Sequence, residues 1–263
     1  MTGEPTEEVR LPGAIGAVRV GETIRKPSGP WTPTVQALLR FLRERGFDLA
    51  PEPLGLDEQA REVQSVMPGA PAYRPWPPVM LRVDGVERLA AVLRRYHDIV
   101  RAYDPGPEPC WRAGCGPLVK GEIVCHGDYG AWNTLWEGDR LVGVVDWDMA
   151  EPGLPIDDLG FLAIHAVPLR SDERARGSGF LGPVPRAGRL RALCLAYEGF
   201  TPTEIVQAAA RLHERDHRRT TEWGAEGREP WATFLASGDL GTIEDDATWL
   251  EAHGSSVAGA AEV

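Results

Sequence analysis

Short alternating apolar stretches come first along the chain and helical stripes later. Val18 to Val20, a turn at Gly21-Glu22, and Thr23 to Lys26 predict a hairpin that the run Pro27-Ser28-Gly29-Pro30 cannot continue. Thr32 is placed to cap a helix with Pro33 at its first position, and Val35, Leu38, Leu39 and Leu42 form its apolar stripe up to Gly46. Pro53 to Leu56 and Glu62 to Val66 read as two more strands, ending where Met67-Pro68-Gly69 forces a turn. Ala70 to Pro78 is a proline-rich linker, after which Leu89, Val92, Leu93, Tyr96, Ile99 and Val100 share one face of a helix from Val86 to Tyr103. Gly121 to Cys125 and Leu141 to Val145 are apolar strand runs. Helices are predicted from Asp157 or Asp158 through Val167, then over Leu190 to Phe200, Pro202 to Arg219 and Asp245 to His253. The fold class is therefore α+β, with a small strand-rich part over residues 9–69 and a larger, mainly helical part over 79–253. Residues 1–10 read as disordered and 254–263 as a frayed tail.

Composition narrows the function classes. The chain has 263 residues, 43% hydrophobic and 25% charged, and no apolar run approaches the roughly 18 residues of a membrane span. Its first residues lack the basic and apolar regions of a secretory signal, so a cytoplasmic protein is expected. A formal net charge of -11 argues against nucleic acid as a partner. Nine of the acidic residues lie between Glu222 and Val263, against Arg228 alone among basic ones. That region either lines a pocket for a cationic acceptor or is a solvated acidic surface. Cys110, Cys115, Cys125 and Cys194 lack C-x-x-C spacing and are expected as free thiols. His213 and His217 stand at i, i+4, but their Arg- and Glu-rich setting predicts a solvated face.

Chemistry concentrates in Cys125-His126-Gly127-Asp128-Tyr129-Gly130-Ala131-Trp132-Asn133, followed by Asp146-Trp147-Asp148. An Asp and an Asn five positions apart on a tight loop can face one cavity from two sides, and a carboxylate delivered by a following strand can join them. Phosphoryl transfer from a nucleotide needs a carboxylate to orient and deprotonate the acceptor, plus oxygen ligands for magnesium on the phosphates. Each residue alone could be a turn or strand-end feature. The spacing of the whole set points to a phosphotransferase.

The order H-G-D-x-x-x-x-N, then V-D-W-D, resembles the aminoglycoside phosphotransferase family of small-molecule kinases. The resemblance implies a protein-kinase-like two-lobed fold, with residues 9–69 as the nucleotide-binding lobe and 79–253 as the catalytic and acceptor-binding lobe. It implies Asp128 as catalytic base with His126 bracing the loop, Asp146 and Asn133 as magnesium ligands, and Asp148 as a further ligand. Asp158, in Leu154-Pro155-Ile156-Asp157-Asp158-Leu159-Gly160, would brace the catalytic loop. Either Arg25 or Lys26 would contact the nucleotide phosphates, Gly13 and Gly16 belong to a short glycine loop, and Val66 and Met67 stand at the hinge beside the nucleotide. ATP or GTP would be the co-substrate, Mg2+ the cofactor, and the protein a monomer or homodimer. The acceptor would be an aminoglycoside, macrolide, sugar, amino alcohol or natural-product intermediate.

Two features depart from the family pattern. The glycine loop is only G-x-x-G, and the helix segment Thr34-Val35-Gln36-Ala37 lacks the carboxylate that usually pairs with the phosphate-binding lysine, so that ion pair is absent or replaced by Gln36. They leave open a catalytically weak kinase-fold protein that binds ligand without turnover. A metallophosphoesterase would need more His and Asp ligands at strand ends.

Overall fold

A computed structural model of the chain describes residues 7–11 and 16–262, and its contacts group into two compact units, each built from separate stretches of chain. The first takes the described residues up to Pro71, then Tyr96–Asp128 and Asn133–Gly153. The second takes Ala72–Arg95, Tyr129–Trp132 and the chain from Leu154 onward.

The first unit opens with an antiparallel sheet of strands β1 (Glu8–Arg10), β2 (Val18–Val20), β3 (Thr23–Lys26), β4 (Pro53–Leu56) and β5 (Glu62–Ser65), in the order β1-β2-β3-β5-β4. Helix α1 (Thr32–Glu44) lies between β3 and β4 in sequence, and Val35, Leu38, Leu39 and Leu42 are fully buried. Removing any one of these leucines would open a cavity costing about 2–5 kcal/mol. Thr32 does not cap α1; its hydroxyl turns back to accept the Gly29 N–H at 2.9 Å. Gly46, at φ 78°, lets the chain leave the helix through a left-handed turn.

The same unit continues with β6 (Ala70–Pro71), a hairpin of β7 (Cys110–Trp111) and β8 (Gly114–Cys115), then β9 (Ile123–Cys125), β10 (Thr134–Glu137), β11 (Arg140–Val144) and β12 (Glu151–Gly153). β10 pairs with β11 and with β6, and β9 pairs with β12, so the expected linker begins as a strand. The disorder expected of residues 1–10 is corrected for Glu8, Val9 and Arg10, which pair with Val20, Arg19 and Val18.

The second unit is helical: α2 (Pro78–Leu81), α3 (Val83–Val100, which passes into the first unit from Tyr96), α4 (Pro155–Ala166), α5 (Asp172–Arg176), α6 (Arg186–Tyr197), α7 (Pro202–Ala225), α8 (Trp231–Ser237) and α9 (Asp239–Glu262). A Thr201 and Glu204 capping box starts α7. α4 and α7 approach so closely that a Cβ on Gly160 would stand 2.9 Å from Ala209 N. Arg189 is fully buried and donates to carbonyls of Met80, Leu81, Arg82 and Ala166, tying α2, α4 and α6 together. The expected frayed tail is helix instead: α9 runs to Glu262, and Ala258 and Ala261 are buried. Among the described residues, no helix is long and apolar enough to cross a membrane.

Candidate active site

β9 ends at Cys125 and hands the chain to His126, which is fully buried. Its Nδ1 accepts the Asp128 N–H at 3.3 Å, and its Nε2 lies 3.2 Å from the Val145 carbonyl. A neutral ring protonated on Nε2 satisfies both contacts and joins the H-G-D turn to the end of the β11 segment. Gly127 adopts φ 77°, and a Cβ there would lie 2.1 Å from the Met149 carbonyl oxygen. Only glycine fits between His126 and Asp128.

Asn133, 6% exposed, donates from its amide to the Asp128 carboxylate at 2.7 Å and to the Asp128 carbonyl at 2.9 Å. The amide nitrogen is thus spent on orienting Asp128, and the amide oxygen is the group left to coordinate a cation. The Asn133 carbonyl accepts the Val145 N–H at 2.9 Å, which ties the loop to the residue before Asp146.

Trp147 anchors the D-W-D segment. It is fully buried, donates from Nε1 to the Val144 carbonyl at 3.0 Å, and packs against His126, Tyr96 and Phe47 at centroid distances of 4.5, 5.0 and 6.4 Å. Asp146 beside it sits in the left-handed region, φ 61° and ψ 64°, with its side chain 54% exposed. Such a conformation costs a non-glycine residue about 1–3 kcal/mol and is concentrated at functional sites. Asp148 is buried, and its two oxygens meet Lys26 Nζ and, at 3.2 Å, Arg112 Nη2.

Lys26 is the cationic centre. Besides Asp148 it lies 3.6 Å from Asp146 and 3.7 Å from Glu62. Burial alone would lower its pKa, but the Asp148, Asp146 and Glu62 carboxylates reverse this and hold it above the ordinary lysine value. Glu62 is fully buried and accepts from Gln64 at 2.9 Å; burial raises its pKa, and Lys26 opposes this. Gln36 donates to the Gly55 carbonyl at 2.9 Å, so the carboxylate facing Lys26 comes from β5 and not from α1.

The structure therefore brings together His126, Asp128 and Asn133, and gathers Asp146 and Asp148 around Lys26. Arg25, on the opposite face of β3, pairs with Asp57 at 3.3 Å. Gly16 has φ 73° and stands against Pro27, while Gly13 lies outside the described residues. Val66 and Met67 are half-buried beyond the far end of β5 from Glu62. Sequence reasoning missed Glu62 and Arg112. Glu62 could have been found only from the antiparallel register that sets it opposite Lys26, and Arg112 lies in a segment with no periodicity.

Three expectations outside the site are corrected. Cys110 and Cys115 are joined as a disulfide across the β7–β8 hairpin, leaving Cys125 and Cys194 free. Their spacing of five closes a tight hairpin that directly opposes them. His213 is buried, and His217, one turn further along the same face of α7, is half-buried and pairs with Glu244 of α9 at 3.0 Å. Asp246, one of the acidic C-terminal residues, is buried in an ion pair with Arg174 at 2.7 Å.

Asn133, Asp146 and Asp148 supply only oxygen donors, a set suited to a hard divalent cation such as magnesium or calcium and unsuited to a thiolate- or imidazole-bound metal. Glu62 Oε2, buried and 3.7 Å from Lys26 Nζ, adds a further oxygen near the same cluster.

The profile of the phosphotransferase enzyme family matches residues 107–202, the stretch that carries both motifs. A trifolitoxin immunity protein of Rhizobium leguminosarum bv. trifolii is 30% identical over 190 residues, covering 70% of this chain and 71% of that protein. The fold is similar to that of a choline/ethanolamine kinase family protein from Mesorhizobium loti, with TM-score 0.55 and 17% identity over 99% of this chain and 94% of that one. It is also similar to an amicoumacin kinase solved in complex with AMP-PNP, Ca2+ and Ami, with TM-score 0.56 and 12% identity over 80% of this chain and 79% of that one. These likenesses place the chain in the α+β, protein-kinase-like fold class.

Proposed function

The chain belongs to the phosphotransferase enzyme family, whose chemistry is small-molecule phosphotransfer, and from that premise we propose that it moves the γ-phosphoryl group of ATP or GTP onto a hydroxyl of an antibiotic-like molecule. The observation that carries this reading is Asp128 held by the Asn133 amide at 2.7 Å beside a loop glycine that admits no side chain. Asp128 accepts the hydroxyl proton as the new oxygen–phosphorus bond forms and the bond to the bridging oxygen breaks, releasing the nucleoside diphosphate. Lys26, kept cationic by its carboxylates, binds phosphate oxygens, while His126 keeps the loop closed around Asp128. Val66 and Met67 meet the nucleotide, residues 9–69 bind it, and 79–253 take the acceptor. The Asn133 oxygen, Asp146 and Asp148 are the groups that would hold magnesium, which when bound neutralises charge on the phosphates. The immunity function in the name of the Rhizobium relative and the amicoumacin kinase likeness support an acceptor of antibiotic class, modified in the cytoplasm where nucleoside triphosphates are available.

A second reading, a kinase-fold protein that binds ligand without turnover, draws support from Asp148, whose oxygens are both already engaged by cations. The deciding test is nucleotide consumption, with ATP and GTP, across aminoglycosides, macrolides, nucleosides and amino sugars. Acceptor-dependent turnover that falls by roughly 10²- to 10⁴-fold in Asp128→Ala supports transfer. Nucleotide binding without consumption supports the second reading, and neither binding nor consumption overturns both.

A further inference from the structure

Arg112 stands at the turn of the β7–β8 hairpin and is delivered to the charged cluster from two sides. The Cys110–Cys115 disulfide closes the hairpin, and the Cys110 N–H donates to Thr34 Oγ1 on α1 at 3.0 Å. The guanidinium lies 4.0 Å over the Trp31 ring, and its Nη2 donates to Asp148 at 3.2 Å. With 18% of its side chain exposed, it is far from a freely solvated arginine. Its Nε is buried and has no hydrogen-bond partner among the described residues.

An unpaired buried N–H costs about 1–3 kcal/mol, so an arginine held with one arm of its fork idle is built for a partner that the fork would satisfy. Planar, bidentate donation suits phosphate, and stacking on an indole leaves the guanidinium edge free to turn. Lys26 has Glu62 and Asp146 within 3.7 Å in addition to Asp148, so it does not leave when Asp148 changes partner. Among the described residues Arg112 pairs with one carboxylate, that of Asp148, and can exchange it for another anion.

We propose that Arg112 is a polyphosphate-binding residue: without nucleotide it closes on Asp148, and with nucleotide its fork turns on Trp31 to the phosphates and releases the Asp148 oxygen. This rests on the phosphotransferase reading and adds to it a second cation, beyond Lys26, from a segment outside both motifs. The exchange also explains how Asp148 can be fully engaged in the free protein and still be available to a metal ion in the complex.

The test is binding of inorganic tripolyphosphate, ATP and adenosine to the full chain in a chelator, followed by calorimetry, for wild type, Arg112→Met and Arg112→Lys. Arg112→Met should lose at least about tenfold in tripolyphosphate and ATP affinity, the worth of one charge-assisted hydrogen bond, with adenosine unchanged. Arg112→Lys should keep part of that affinity because charge survives and the fork does not. Trp31→Phe should blunt the fluorescence change that tripolyphosphate causes in wild type. Wild-type tripolyphosphate affinity in both Arg112 variants overturns the proposal, as does an equal loss of adenosine, which would mark a structural role. If affinity is unchanged while Asp128-dependent turnover persists, only the role of Arg112 falls. If wild type binds neither tripolyphosphate nor magnesium nucleotide, the phosphotransferase reading falls with it.

Discussion

Lys26 and Glu62 face each other directly across the β3–β5 ladder, with Nζ 3.7 Å from a carboxylate that is fully buried. The pair sets a carboxylate against Lys26 from the neighbouring strand, where α1 carries only Gln36. Breaking a buried pair leaves an uncompensated charge, so Glu62→Ala should cost about 3 kcal/mol or more in stability and raise the KM for nucleotide. Glu62→Gln, which can still accept from Gln64, should lose less. Urea denaturation and steady-state kinetics check this, and unchanged values for Glu62→Ala would show that Asp148 and Asp146 suffice to hold Lys26.

Asp146 holds a strained left-handed backbone beside Lys26. Its φ of 61° suits glycine, and its carboxylate is 54% exposed, so its ion pair with Lys26 contributes little to stability. Asp146→Gly should therefore be neutral or more stable by about 1 kcal/mol while phosphotransfer is lost. A clear drop in the denaturation midpoint would mean that the carboxylate serves the fold and not the chemistry.

Acid should weaken the helical unit through His213. Burial lowers its pKa, Asp246 opposes this and Arg170 adds to it, leaving it at about 4 against the ordinary 6.5. Between these values the unfolded chain binds the proton and the folded one does not. Stability is thus fully present above pH 6.5 and is lost as pH falls toward 4, by up to on the order of 3 kcal/mol. His165, held well below its usual value by burial and Arg170, acts in the same direction. Thermal midpoints followed from pH 7 to 4 should fall less steeply in His213→Leu than in wild type, and parallel curves would refute the assignment.

Thiol titration distinguishes the hairpin from the free cysteines. The denatured, unreduced chain should show two thiols, Cys125 and Cys194, and four after reduction. Four thiols before reduction would remove the Cys110–Cys115 bridge.

Much of the site was legible because it is local. His126, Gly127, Asp128 and Asn133 lie within one loop, and Asp146 to Asp148 follow a single hairpin, so spacing alone puts them on one strand-loop-strand device. The α1 stripe was legible for a similar reason: a 3.6-residue period needs no knowledge of what it packs against. The end of the chain misled, because small residues such as Ala258 and Ala261 look like a tail in sequence. They are buried because small side chains are what a close helix contact requires, as at Gly254, where a Cβ would stand 2.8 Å from Val206.

By itself the sequence determined the chemistry on offer: a carboxylate, an amide and two further acids at phosphotransferase spacing, and a lysine at the end of a short strand. Tertiary structure alone decided which groups meet that lysine. The choice of Lys26 over Arg25 depends on which face of β3 turns inward, and the pairing with Glu62 depends on a register set between residues far apart in the chain. Arg112 reaches Asp148 through a hairpin with no periodic signal, across a sequence separation of 36. Long-range pairing and strand register arise from the closing of the fold as a whole, and no local pattern of residue types records them.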